Sequence, residues 1–242
     1  MTSYAEAQIG LQQPLEGSNT LESALGRETE AQKPLLGIQT PRIHTPLNDL
    51  PSRGQDLIDL ASSIKVDLME WQKFALLHTH KIKPDGRWAS PVNCIVVARQ
   101  NGKSFLQQIR ILGGLFLWDE ALQIGQAHTL NTSLEQFRQM MWTIEANDFL
   151  AKQVKKVRLN HGAEEIETLK GTRFMVRAGG SAARGISRPS TIHLDELLRM
   201  NNMDSFASLR YTLMSSPNPM LMSYTNAGDN TSVVLNSFRD RA

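Results

Sequence analysis

Two short stretches constrain the fold of this chain more than any others. They are Val97-Ala98-Arg99-Gln100-Asn101-Gly102-Lys103-Ser104 and Thr191-Ile192-His193-Leu194-Asp195-Glu196. The first is a phosphate-binding loop of the G-x-x-x-x-G-K-[ST] type, with Val97 in place of the leading glycine. The second is an apolar strand that delivers two adjacent carboxylates, ninety-two positions after Lys103. Either alone is a weak signal, because Gly-Lys-Ser and Asp-Glu pairs arise by chance. In this order, each ending an apolar strand, they indicate a nucleoside triphosphatase.

The context of the loop turns the pattern into a mechanism. Val92-Asn93-Cys94-Ile95-Val96-Val97 is β-branched and almost wholly apolar, as expected of a parallel strand covered on both faces. After Ser104, the residues Phe105, Ile109, Leu112 and Phe116 draw one stripe along a helix. The loop therefore lies between a buried strand and a helix N-terminus, where free backbone N–H groups and the helix dipole attract phosphate oxygens. Arg99, Gln100, Asn101, Gly102, Lys103 and Ser104 form the candidate nucleotide cradle. Lys103 would reach the β- and γ-phosphates, and the Ser104 hydroxyl would ligate Mg²⁺. Asp195 would hold Mg²⁺ directly or through water, and Glu196 would orient or deprotonate the attacking water. A blander reading has the two acids simply opening a helix, where they favour the dipole. Ile192 and Leu194 weigh against it, because they make the preceding residues strand-like.

At 242 residues and 40% apolar content, the chain can bury one substantial α/β core. A net charge of +2 carries no global basic field, so any nucleic-acid contact must come from local patches. Cys94 is the only cysteine, which excludes disulfide and zinc frameworks and reads as a structural thiol in a reducing compartment. No apolar run approaches the roughly 18 residues needed to cross a bilayer. The N-terminus lacks the basic and apolar regions of a secretory signal. These features point to an intracellular soluble protein.

Residues 1–50 carry Pro14, Pro34, Pro41 and Pro46 among small and polar residues and read as a flexible arm or linker. Residues 51–242 then form the ATPase domain. Leu57, Leu60, Ala61, Ile64 and Leu68 predict an amphipathic helix, and a second runs from about Leu68 through Trp71, Phe74 and His78. Pro84-Asp85-Gly86 is a turn. Strands are predicted at Ala121–Gly125, Lys152–Leu159 and Pro219–Tyr224, with a hairpin of Ile166–Leu169 and Arg173–Arg177 around Gly171. Helices are predicted on the stripe Leu134, Phe137, Met141, Ile144 and at Leu209–Met214; residues 179–190 are a glycine-rich loop. Strands alternating with helices imply a mostly parallel central sheet flanked by helices.

Five signatures in one order resemble the N-terminal ATPase domain of tailed-phage terminase large subunits. They are Trp71-Gln72, the loop from Ala98 to Ser104, Arg184-Gly185-Ile186-Ser187, His193-Leu194-Asp195-Glu196 and Thr225-Asn226-Ala227. The resemblance covers roughly residues 55–242. It implies a P-loop fold of the additional-strand catalytic-glutamate type, and a motor that hydrolyses ATP with Mg²⁺ to drive double-stranded DNA into a procapsid. Implied partners are double-stranded DNA, the portal protein, the small terminase subunit and further copies in a ring, commonly a pentamer, in the host-cell cytoplasm. Gln72 matches an adenine-reading glutamine, Arg99 the arginine inside the loop, and Thr225 and Asn226 a coupling segment that senses the γ-phosphate. Arg184 matches an arginine that acts on a neighbouring subunit's nucleotide. A ribonuclease H-like nuclease domain would follow residue 242, so nuclease activity is not expected of this chain.

Several of these residues have plainer readings. Gln72 could be a helix residue beside the packing anchor Trp71, and Thr225-Asn226 a simple strand-to-loop turn. His78 and His80, two apart, do not share a helix face for a metal, and His193 between two apolar residues reads as packed. Lys152, Lys155, Lys156 and Arg158 could touch DNA phosphates but read better as a solvated strand face. Two other functions compete: a helicase-type nucleic-acid translocase, which would need a second motor domain, and a nucleotide-gated assembly module that does not hydrolyse.

Overall fold

The loop-feeding strand, β1 (Val92–Val96), lies at the edge of a seven-stranded sheet in the computed structural model, which describes residues 37–127, 129–159, 164–178 and 188–242. The other strands are β2 (Leu122–Ala127), β3 (Val154–Arg158), β4 (Glu165–Thr168), β5 (Arg173–Ala178), β6 (Thr191–Asp195) and β7 (Met220–Thr225). Their order is β1-β7-β6-β2-β5-β4-β3. The first five are mutually parallel, and β5-β4-β3 continue as an antiparallel meander. β7 is thus inserted between the strand that feeds the phosphate loop and the strand that ends in Asp195. This is the additional strand implied by the fold class.

Helices cover both faces. They are α1 (Gly54–Ser63), α2 (Glu70–Thr79), α3 (Lys103–Phe116), α4 (Leu130–Glu145), α5 (Asp148–Ala151), α6 (Met203–Leu213) and α7 (Val233–Arg239). One apolar core includes Leu57, Leu76, Ile109, Phe137 and Tyr224; the other includes Ile192, Leu194, Leu221, Phe206, Leu209 and Val234. Every residue of β2, β6 and β7 is buried, as in a parallel sheet covered on both faces, and the polar residues Gln123 of β2 and His193 of β6 bond each other. The edge strand β3 alternates instead. Its Lys155 pairs with Glu167 at 2.6 Å and its Arg158 with Glu165 at 3.4 Å, so these cations lie on a solvated face beside the acids of β4.

Most elements lie where the pattern predicts, but α1 ends at Ser63, short of Ile64 and Leu68, and α6 begins at Met203, six residues before Leu209. The second helix starts at Glu70 rather than near Leu68, and β2 runs on to Ala127. Met140, not Met141, completes the buried stripe of α4. Residues 37–50 have no regular secondary structure, yet Gln39 accepts a hydrogen bond from the Trp71 N–H at 3.3 Å, and the His44 ring lies 6.4 Å from Phe74. The 179–187 stretch of the predicted loop lies outside the described residues. Among those described, no helix is long and apolar enough to cross a membrane.

α3 departs furthest from expectation. A single stripe predicts an amphipathic helix, but every residue from Leu106 to Phe116 is buried, because the sheet, α1 and α4 surround it. Arg110 is therefore fully buried. Its guanidinium binds both oxygens of Glu120 (3.1 and 2.7 Å) and donates to Thr191 Oγ1 at 3.1 Å. It also sits over the Trp118 ring, 4.7 Å from the centroid. An exposed ion pair contributes at most about 1 kcal/mol, whereas breaking a buried one typically costs about 3–5 kcal/mol. This pair is a structural joint between α3 and the start of β6.

Two histidines share this interior. His193 Nε2 donates to Gln123 Oε1 at 2.9 Å and its ring stacks on Tyr224, the packed role its neighbours predict. His80 Nδ1 donates to Leu76 O at 3.0 Å, and its ring meets Trp88 edge-on. Burial, reinforced by the Arg110 charge, holds both well below the usual histidine range. The unfolded chain therefore binds more protons below pH 6.5, and stability falls as pH drops through that value towards the folded pKa values. The expected loss is about 1.4 kcal/mol per histidine for each pH unit below 6.5. Melting curves at pH 7.5 and 5.5 check this, and equal melting temperatures would contradict it. Burial also pushes the Cys94 thiol up to about 12, in keeping with a structural role.

Candidate active site

β1 and the start of α3 force the chain through a tight arc at Val97–Gly102. Gln100 and Gly102 both adopt left-handed backbone, with φ of 62° and 79°. At Gly102 a side chain is excluded twice, by that φ and by Gln72 Nε2, which lies 2.7 Å from where a Cβ would stand. Asn101 Nδ2 braces the arc by donating to Arg99 O at 2.8 Å. The arc opens onto the first turn of α3, whose leading N–H groups have no intrahelical acceptor. Replacement of the usual first glycine by Val97 is accommodated here, with the Val97 N–H donating to Thr225 O at 3.0 Å on β7.

Lys103 and Asp195 meet. The Lys103 ammonium donates to Asp195 Oδ1, with only 12% and 4% of the two side chains exposed. The structure thus brings the loop and the end of the carboxylate strand into contact. Glu196 follows in left-handed backbone (φ 58°, ψ 47°), an arrangement that costs a non-glycine residue about 1–3 kcal/mol. Its N–H donates to Tyr224 O at 2.9 Å and lies 3.0 Å from Asp195 Oδ1, which pins the residue at the mouth of the sheet. The acids do not open an α-helix. A short 3-10 turn, Leu197–Arg199, follows, and its Leu198 N–H donates to Thr225 Oγ1 at 3.0 Å.

Thr225 therefore touches both halves of the site: its carbonyl holds the first residue of the loop, and its hydroxyl holds the turn after Glu196. Asn226 Oδ1 is buried beside it without a partner among the described residues. Gln72 is buried too, and both ends of its amide are used. Oε1 accepts from the Met69 N–H at 2.9 Å, closing the start of α2, and Nε2 donates to Gly102 O at 3.1 Å. The amide faces the loop backbone.

The remaining arginines divide clearly. Arg99 is exposed on the loop; Arg177 bends back onto its neighbour's carbonyl, Val176 O, at 2.7 Å; and Arg188 donates to Ser215 O at 3.3 Å. Arg184 lies outside the described residues. Among those described, no cluster of three or more His, Cys, Asp or Glu residues could hold a metal ion. The hard oxygens of Ser104 and Asp195 suit Mg²⁺, which keeps most of its waters and needs only one or two protein ligands beside phosphates. Sequence reasoning missed one contributor, Gln136 on α4, which donates to Asp195 Oδ2.

No protein-family model matches the sequence, and a search of the curated proteins finds no match. Solved structures do match. The HK97 bacteriophage large terminase superposes with a TM-score of 0.63 at 18% identity, over 79% of this chain and 41% of that one. The large terminase ATPase domain of Thermus phage P74-26 superposes with a TM-score of 0.53 at 16% identity, over 76% of this chain and 73% of that one. An arginine-to-alanine mutant of the same domain gives 0.52 at 13% identity, covering 71% and 70%. This chain spans about two fifths of the length of the HK97 terminase. At such identities the likeness speaks for architecture, and it agrees with the strand order. The chain has the P-loop fold of a phage large-terminase ATPase domain.

Proposed function

We propose that this chain is the ATP-hydrolysing motor domain of a phage DNA-packaging terminase, driving double-stranded DNA into a procapsid. The contact of Lys103 with Asp195 carries this reading, because it joins the phosphate loop to the carboxylate strand and leaves Glu196 adjacent. The mechanism follows from the side chains. A bound nucleotide offers Lys103 the β- and γ-phosphates, which bear more charge than Asp195 and draw the ammonium away. Ser104 and the freed Asp195 would hold Mg²⁺, which would supply positive charge to the phosphates. Glu196 orients a water for in-line attack and accepts its proton.

Arg99, Gln100, Asn101 and Gly102 line the nucleotide, and Gln72 acts on it through the loop it clamps. Thr225 and Asn226 relay the state of the γ-phosphate along β7, a role supported by Thr225's bonds to both halves of the site. Phosphoryl transfer also needs a cation on the γ-phosphate oxygens, and Arg184 from a neighbouring copy supplies it. Arg177 and Arg188 are less suited, each being bonded to a backbone carbonyl. Double-stranded DNA, the portal protein, the small terminase subunit and a homo-oligomeric ring, a pentamer in the assembled motor, are the partners this reading brings, in the host-cell cytoplasm.

Phosphate release from ATP, measured at high protein concentration with and without linear double-stranded DNA, tests the proposal. Mg²⁺-dependent turnover that rises with double-stranded DNA is expected. Arg184→Ala should lose that turnover yet keep its nucleotide affinity. Binding without turnover would instead indicate a nucleotide-gated module, and equal stimulation by single strands a helicase-type translocase.

A further inference from the structure

A carboxylate presents two oxygens, and both are engaged at Asp195. Oδ1 accepts from the Lys103 ammonium and lies 3.0 Å from the Glu196 N–H; Oδ2 accepts from Gln136 Nε2. Gln136 belongs to none of the sequence signatures. It sits on the second turn of α4 beside the buried residues Ser133, Phe137 and Met140, on a helix packed against β2 and β5. Next to it a cavity of about 20 Å³, also lined by Ser104, Gln107 and Gln108, has room for about one water. The donor is thus delivered to the site by a core helix rather than by a surface loop.

The two side-chain partners of Asp195 respond differently to a nucleotide. Lys103 is a cation, and phosphates compete for it. Gln136 is neutral, so a phosphate has little power to draw it off. When Lys103 turns to phosphate, Oδ1 loses its strongest partner while Oδ2 stays bonded. We propose that Gln136 is a positioning residue for the metal-holding carboxylate, fixing Oδ2 so that Oδ1 faces the Mg²⁺ of a bound nucleotide. This role rests on the ATPase reading above and deepens it. Hydrogen bonds that orient a metal-ligating carboxylate are typically worth 10–100-fold in metal affinity.

Gln136→Met tests the role, because it keeps roughly the length and volume of the side chain and removes the amide that donates to Oδ2. The affinity of the chain for a fluorescent ATP analogue is titrated in EDTA and across a series of Mg²⁺ concentrations, together with the melting temperature. The Mg²⁺ concentration giving half of the metal-dependent gain in affinity should rise about 10–100-fold. Affinity in EDTA should match the parent, and the melting temperature should fall only slightly, because Oδ2 of the buried Asp195 loses one neutral donor. A variant with the parent's Mg²⁺ dependence overturns the proposal. Equal loss of affinity in EDTA also overturns it, by making Gln136 a direct nucleotide contact, and so does a lowered melting temperature with unchanged Mg²⁺ dependence, which would make it packing. A parent that binds no nucleotide removes the ATPase reading and this role together, a result distinct from a binding parent with an indifferent variant.

Discussion

Glu196→Gln is expected to leave ATP binding intact and to slow hydrolysis by about 10²–10⁴-fold, the range for losing a general base. The amide keeps the shape of the carboxylate but cannot take a proton from water. Lys103 and Asp195, the residues proposed to meet phosphate and metal, are untouched. The left-handed backbone at this position supports the assignment, because a fold keeps a residue at about 1–3 kcal/mol of strain only where its surroundings over-determine it, commonly at functional sites. Single-turnover hydrolysis beside equilibrium nucleotide binding separates the two steps. If binding falls and turnover per bound nucleotide does not, Glu196 is a structural or metal residue.

Lys103→Ala is expected to abolish productive ATP binding. The ammonium is the cation that closes the loop, and Arg99 on the exposed arc has no comparable approach to the carboxylate strand. The variant has a second consequence. Asp195 is 4% exposed on its side chain, so removing Lys103 leaves a buried carboxylate with only neutral donors, an arrangement that typically costs several kcal/mol. Isothermal titration with ATP should show no binding, and the melting temperature should fall. Parent-like affinity would remove the loop from the nucleotide site.

Much of the fold and the site is legible in the sequence because it is local. The loop, the strand before it and the carboxylate pair are contiguous runs whose chemistry survives in one dimension. The lysine and aspartate, far apart in sequence, can be joined because parallel strands ending at one edge of a sheet bring their C-terminal loops together. What escapes is non-local. The stripe of Phe105, Ile109, Leu112 and Phe116 says nothing of a helix wrapped on all sides, so Arg110 would be assigned to water. Its partners are Glu120, ahead of β2, and Thr191, eighty-one residues on, and neither carries a local signature. Gln136 reaches Asp195 across 59 residues, and no motif marks a glutamine on a helix that merely passes the site. Gln72 is offered as a nucleotide contact by the resemblance alone, and no local pattern marks the bond its amide makes to Gly102 O, thirty residues on.

The two attachments between α3 and β6 limit how this machine can move. Lys103 fastens the front of the helix to the last residue of the strand, and Arg110 fastens its middle to the first through Thr191. A rod pinned at two points along a rail cannot slide. On the proposed ATPase reading, phosphate would compete for the front pin alone, since the rear one is sealed in the interior beneath two tryptophans. On that reading a bound nucleotide would unlatch one end while the other stays fixed, leaving the helix a pivot in place of a track.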